Sequence, residues 1–394
     1  MRMKKIILFA VIAAMAVSCA KTGEVNPVSN QAIGFDTWTS NLTKSTHTQF
    51  ASGSNFAVYG YKETEDSQAK TTVFNGDKVS YDGSSWNYTG VRFWDRTTDK
   101  YVFFAVAPYA QNPQNQNIPL IQSMDVETGV FTTKDITFNG VNSANNPADL
   151  LVAKRKTAIR ANKEYGKQVE LNFIPAAALL DVKVKKVDNL TEAVLKIEEI
   201  ELRNIRSTGH YSNVGYSDLE TTLDRPISAT VNSVPGLGWT PALDSEDKPI
   251  VTSYNNEHGT PIETLPSIAA NVGGGVNNAV SVIENLVVMP QVLGSQVSNQ
   301  RISNGQKLYI KYSISFSNEK ITHEREINLC DFDNTDLAAT AGRTEEEQNQ
   351  GEFIFNWMPN KHYTYYLTIN ADIITFTASV DNWADVDTFH YIIN

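Results

Sequence analysis

Apolar residues in this chain come in short runs of strand length, and Gly, Asn, Asp or Pro bounds almost every run. Residues 56–61, 101–106, 178–187, 307–316, 363–369 and 373–380 are examples. Alternation at period two, or a short continuous apolar run, marks a strand buried on one or on both faces. The i, i+3, i+4 rhythm of an amphipathic helix is scarce. The pattern confines the chain to an all-β fold of antiparallel sheets packed face to face, with β-sandwiches favoured. With 394 residues there is room for two such domains. The expected boundary lies between 165 and 166, giving domains at 19–165 and 166–394. There the basic run Lys154, Arg155, Lys156, Arg160, Lys163 and Lys167 interrupts the apolar rhythm and reads as a solvated connector. The Pro-, Gly- and Asn-rich stretches 110–118 and 232–278 read as surface loops.

The first residues set the compartment. Arg2, Lys4 and Lys5 precede an apolar run at 6–17 that is too short to span a bilayer, and Ala16, Val17 and Ser18 lead into Cys19. This is the form of a lipoprotein signal, residues 1–18, with Cys19 as the lipidated residue. Several acyl chains at about 0.8 kcal/mol per buried CH₂ would tether the exported chain to outer-membrane lipid. Removing 18 residues from 394 leaves 376, and removing three cations takes the net charge from −11 to −14. An acidic surface excludes nucleic acid as a natural partner. Of two cysteines only Cys330 then remains unmodified, so no intrachain disulfide can form and stability must come from core burial. Cys330 sits in a strand-like context and reads as a small buried hydrophobe.

Chemistry-bearing motifs are weak throughout. Gly273, Gly274 and Gly275 lack the Lys-Ser/Thr that follows in a phosphate loop. Asp331, Asp333 and Asp336 resemble an oxygen-rich loop, yet the Gly and distal Glu of a calcium-binding hand are missing, and a polar turn is the simpler reading. Glu345, Glu346 and Glu347 form a like-charge run of the kind usually solvated. The six histidines show no metal-ligand spacing, and no nucleophile elbow is present. These observations point away from an enzyme and imply no cofactor or metal. Among six tryptophans, Trp239 lies within the 232–278 loop and is the best candidate for an exposed ligand contact, with aromatic faces suited to sugars.

Three colinear segments carry a family resemblance. The first holds Phe56-Ala-Val-Tyr-Gly-Tyr, Trp86, Arg92-Phe-Trp94 and residues 101–108. The second runs from Pro147-Ala-Asp-Leu-Leu-Val-Ala153 to 169–173 and 197–204. The third is Asn356-Trp357-Met-Pro-Asn-Lys-His-Tyr-Thr-Tyr-Tyr-Leu367, closing on Val380-Asp-Asn-Trp383. Together they resemble the FimA-type, Mfa-like fimbrillins, lipoprotein subunits of the type V pilus. The resemblance implies two transthyretin-like antiparallel β-sandwich domains in tandem, outer-membrane export followed by assembly into an extracellular fimbrium, and adhesion as the outcome. It also implies a maturation protease with Lys/Arg specificity that removes the first strand, whose vacated groove accepts a strand from another pilin subunit. Here the first strand falls at 32–38, with Ala32, Ile33, Phe35 and Trp38. Lys44, the first basic residue after it, is the candidate cleavage position.

Removing a strand orphans backbone N–H and C=O groups and uncovers an apolar trough, and an incoming strand can satisfy both. The last residues could supply one. Phe389, Tyr391 and Ile393 fall on one face at period two, with Val386 at the start of the segment. The alternatives are a terminal strand folded back on its own domain, a non-polymerising tip or anchor subunit, and a monomeric surface lipoprotein that binds a glycan or host ligand.

Overall fold

The computed structural model describes residues 31–39, 52–64, 69–95, 97–112, 115–138, 150–153, 155–162, 165–186, 194–213, 238–255, 279–297, 300–316, 319–334, 354–369 and 374–382. The strands of the first half are β1 (Phe35–Thr39), β2 (Asn55–Glu63), β3 (Lys70–Tyr81), β4 (Trp86–Tyr88), β5 (Lys100–Ala107), β6 (Ala110–Asn112), β7 (Asn115–Pro119), β8 (Ile121–Asp125), β9 (Val130–Thr133) and β10 (Ile136–Thr137). Next come β11 (Leu151–Ala153), β12 (Lys156–Ile159), β13 (Val169–Pro175), β14 (Ala178–Lys186), β15 (Val194–Arg206), β16 (Thr208–Tyr211), β17 (Trp239–Pro241) and β18 (Val251–Asn255). The last are β19 (Val280–Val288), β20 (Gln291–Val292), β21 (Gly294–Val297), β22 (Gln300–Ser303), β23 (Lys307–Phe316), β24 (Glu319–Asn328), β25 (Asp333–Asn334), β26 (Asn356–Trp357), β27 (Lys361–Ile369) and β28 (Ile374–Asn382). Among the described residues the only helical element is a 3-10 turn, Leu329–Asp331. The all-β class read from the strand periodicity is the class of the structure.

The first sheet runs β1-β13-β11-β5-β2-β3-β4, with β12 also on β5. Every pair in it is antiparallel except β1 with β13. The continuous apolar runs of β2 and β5 are buried on both faces. One face, with Phe56, Val58, Tyr101 and Phe103, joins Ile33, Phe35, Phe74, Leu171 and Phe173 in a core drawn from the whole sheet. A sheet whose two ends share one core must curl round it. The other face, with Tyr59, Val102 and Phe104, packs against the β8-β9 hairpin and Tyr211 of β16.

In the second half a five-stranded sheet, β19-β14-β27-β28-β25, and a four-stranded sheet, β18-β15-β23-β24, supply one common core. Leu180, Val182 and Tyr365 from the first meet Leu195, Ile200 and Ile310 from the second, as facing layers of a sandwich do. A small sheet, β10-β16-β17, joins strands from both halves.

Two expectations shift. The strand β13 lies beyond residue 166 yet pairs into the first sheet, so the chain changes sheet between Pro175 and Ala178. The basic run is not a loose connector: β12 pairs with β5 from Lys156 opposite Phe103 to Ile159 opposite Lys100, and Arg160 meets Asp99 at 2.6 Å. Arg155 and Arg160 flank the strand at the surface, Lys156 is half-buried on the same face as Ala158, and Ala158 is buried in the core.

Candidate functional site

The segment 31–39 contains the first strand that the family resemblance marks as removable, and its sequence shows why it folds as it does. Ile33 and Phe35 are 1% and 2% exposed, whereas Ala32 and Asp36 face solvent. That alternation is the period of a strand with one buried face. Phe35 sits edge-on to four rings, with centroids 5.4 Å from Phe74, 5.8 Å from Tyr88, 6.0 Å from Phe56 and 6.1 Å from Phe103. Burying one such side chain is worth about 1.5–3 kcal/mol.

The backbone of the segment is held from two sides. On one side β1 lies parallel to β13 in a register from Phe35 opposite Val169 to Thr39 opposite Phe173, and the Val169 N–H donates to the Gly34 carbonyl at 2.8 Å. On the other, the Ile33 N–H donates to the Arg92 carbonyl at 2.8 Å and the Trp94 N–H donates to the Gln31 carbonyl at 3.0 Å. The Tyr88 hydroxyl adds a bond to the Ile33 carbonyl at 2.7 Å. Residues 31–39 therefore bridge the two ends of the curled sheet and close it, as the last stave closes a barrel. Without them the edge at 169–173, the backbone of Arg92 and Trp94, and an apolar trough floored by Phe56, Phe74 and Phe103 would all lack partners. Unsatisfied backbone groups and bare apolar surface each disfavour that open state.

Arg92 fixes the far wall of this groove. Its guanidinium bonds Asp77 at 2.7 Å, the Val73 carbonyl at 3.0 Å and the Gly90 carbonyl at 2.7 Å, and lies 4.7 Å above the Phe74 ring. A planar cation with several donors can hold a loop and cover an aromatic face at once. Below the wall Asp95 accepts bonds from Lys62 at 2.7 Å and from the Thr97 N–H at 2.9 Å, and these hold its carboxyl well below the usual range. A cleft of about 580 Å³ beside β1 is lined by Gln31, Asp36, Trp94, Lys156 and Lys167.

Among the expected first-strand residues, Ile33 and Phe35 enter the core and Ala32 bridges Phe93 at the surface. Trp38 pairs by backbone with Asn172. Cys19, Lys44 and the donor candidates Val386, Phe389, Tyr391 and Ile393 lie outside the described residues. Trp239 differs from its expected role as an exposed contact. Its indole N–H donates to the Ala176 carbonyl at 2.7 Å, and its ring packs at 5.2 Å from Phe138 and 5.6 Å from Tyr211. An indole whose donor is used and whose ring meets the core is a packing residue. Cys330 is fully buried. Asp331 accepts a bond from Asn328 at 2.9 Å, and Asp333 belongs to β25.

A family model described as fimbrillin-like matches residues 43–383, which is most of the chain. The chain belongs to the fimbrillin-like family. Fimbrium subunit Fim1C from Phocaeicola vulgatus is 31% identical to this fimbrillin-like chain over 184 residues, covering 42% of this chain and 47% of that protein. The match thus spans about half the length of that relative. A solved fimbrial protein from Bacteroides vulgatus aligns over 90% of this chain and 100% of its own, with a TM-score of 0.51 and 17% identity. That likeness concerns the fold.

Tyr88 and Arg92 as holders of the first strand escaped sequence reasoning. Each acts on a segment more than fifty residues away, and no local pattern announces such a contact.

Proposed function

We propose that this fimbrillin-like protein is a structural subunit of an extracellular fimbrium, assembled by strand exchange after proteolysis. The observation that carries the reading is the closing role of residues 31–39. They are joined to the other strands only through 40–51, yet they supply Ile33 and Phe35 to the core and close both ends of the sheet. A cut at Lys44, within the joining stretch, would leave the strand held by noncovalent contacts alone. Its place would then be open to the terminal strand of another subunit, with Phe389, Tyr391 and Ile393 taking the inward positions. Main-chain bonds would supply affinity and alternate side chains would supply register.

In the same reading the chain is exported as a lipoprotein through Cys19, reaches the outer membrane and serves adhesion without catalysis. Its halves are tandem transthyretin-like sandwiches, with the division placed where the chain changes sheet. Limited digestion of the mature chain with a Lys/Arg-specific protease tests this. The expected result is one cut at Lys44, followed by oligomers larger than a dimer on size-exclusion chromatography that disappear when the chain ends at Trp383. A cut chain that forms nothing larger than a dimer, or larger oligomers that survive the truncation, would overturn it.

A further inference from the structure

The strand β24 ends the four-stranded sheet, and among the described residues none pairs with its outer edge. Within Glu319–Asn328 only Ile327 is buried and only His323 and Asn328 are half-buried. Open edges are ordinarily blunted by scattered charge, which repels a second copy. Here the charges are ordered. A two-fold axis perpendicular to the sheet keeps each face on its own side, so residues of the same face stand opposite one another across an antiparallel contact.

With the axis through Thr322, Lys320 stands opposite Glu324 of the second copy, Glu319 opposite Arg325, and Ile321 opposite His323. Each charged pair occurs twice and is attractive, and no like charges meet. Moving the axis to His323 leaves only Lys320 with Glu326, and moving it to Glu324 sets that glutamate against itself. Ile321 is 58% exposed, and His323 already stacks on Tyr312 at 5.0 Å, so their juxtaposition would cover bare apolar surface. On the opposite face Lys320 bonds Glu198 at 2.7 Å and Lys311 bonds Glu324 at 3.2 Å. Pairing would extend these into a row of alternating sign: Glu198, Lys320, then Glu324 and Lys311 of the second copy. Glu319 and Arg325 form no ion pair within the described residues, and the Arg325 guanidinium reaches only the Glu324 carbonyl, at 2.8 Å.

We propose that β24 is a self-association edge, through which two copies of this chain pair antiparallel over residues 319–325 about an axis at Thr322. The contact uses neither β1 nor the terminal strand, so it is independent of strand exchange and needs no cut. A single edge of this length is a modest interaction in solution, and repetition along an array would multiply it.

Sedimentation velocity of the uncut mature chain over a range of concentrations provides the test. A reversible dimer is expected. Glu319→Arg or Arg325→Glu alone should weaken it roughly tenfold, because two attractive pairs become repulsive. The double variant Glu319→Arg with Arg325→Glu should restore the original affinity, which also shows that these changes leave the fold intact. In a Cys19→Ser background, Thr322→Cys should give a disulfide-linked dimer under mild oxidation. Ile321→Cys should not, since its two copies would stand roughly 8 Å apart, beyond the ~7 Å reach of a disulfide. A chain that stays monomeric, a charge swap that fails to restore association, or crosslinking at 321 in place of 322 would overturn the proposal.

Discussion

The two cores of this protein are stabilised in different ways. The first, inside the curled sheet, is a cluster of rings: Phe35, Phe56, Phe74, Phe103 and Phe173, with Trp94, Tyr101 and Tyr165. Its closing strand meets that cluster through edge-on ring contacts, and the directed bonds it makes with Tyr88, Arg92 and Val169 go to its backbone, which any strand would offer. The second is largely aliphatic and is pinned by directed bonds to buried tyrosine hydroxyls. The Trp357 indole donates to the Tyr365 hydroxyl at 2.8 Å, and the Met358 N–H donates to the Tyr363 hydroxyl at 2.8 Å. A seat built of apolar shape and backbone bonds asks of its occupant only buried apolar side chains at period two. A seat defined by fixed donors and acceptors accepts only its own. Under the proposed strand exchange, the first half holds the more permissive seat and the second serves as the unchanging body.

The sharpest way to break that comparison is to damage each core in turn. Trp357→Ala removes a fully buried indole and should cost about 3–5 kcal/mol. Calorimetry should show the second half melting earlier while protection of residues 31–39 from hydrogen exchange is retained. Phe35→Ala should cost toward the lower end of the same ~3–5 kcal/mol range, because an edge strand can relax. It should speed exchange across 31–39 and leave the second core unmoved. If either variant loosened both regions equally, the two cores would be one cooperative unit.

A smaller effect concerns Asp181, which is buried in β14. Burial pushes its carboxyl up, but the approach of His362 at 3.1 Å and the bond from the Asn285 N–H at 2.7 Å outweigh it and hold the carboxyl below its ordinary value of 3.8. The stability it contributes is therefore complete above that ordinary value and is lost as pH falls through the lower folded value. Asp181→Asn should cost about 1–3 kcal/mol near neutral pH and flatten the acid limb of the melting curve for the second core. The smallest effect belongs to the groove wall. Lys62 and Asp95 are each about a third exposed, so Lys62→Met should cost about 1 kcal/mol or less, read as a small change in the urea midpoint.

Much of the strand content was legible beforehand. Residues 101–106 read as a continuous apolar run, and β5 is buried on both faces because a sheet core lies on either side. Ile33 and Phe35 were placed on the first strand and do enter the core. Trp239 misled because a Gly- and Pro-rich neighbourhood suggests exposure, while the ring is drawn inward by Phe138 and the Ala176 carbonyl, both distant in sequence. The basic run misled in a related way. Only Ala158 in β12 is buried, and one alanine among six cations gives no visible alternation.

By itself the sequence determined that this chain would be built of strands, because side-chain alternation is a local property that each segment carries with it. The first strand was located through the family resemblance, at 32–38, and β1 runs over Phe35–Thr39. The tertiary structure alone decided which strands became neighbours: β1 parallel to β13, the start of the chain closing on residues 92–94, and β24 left with an open edge. Every strand edge offers the same N–H and C=O groups. The choice among them rests on the shapes and charges that meet only once the whole chain has folded.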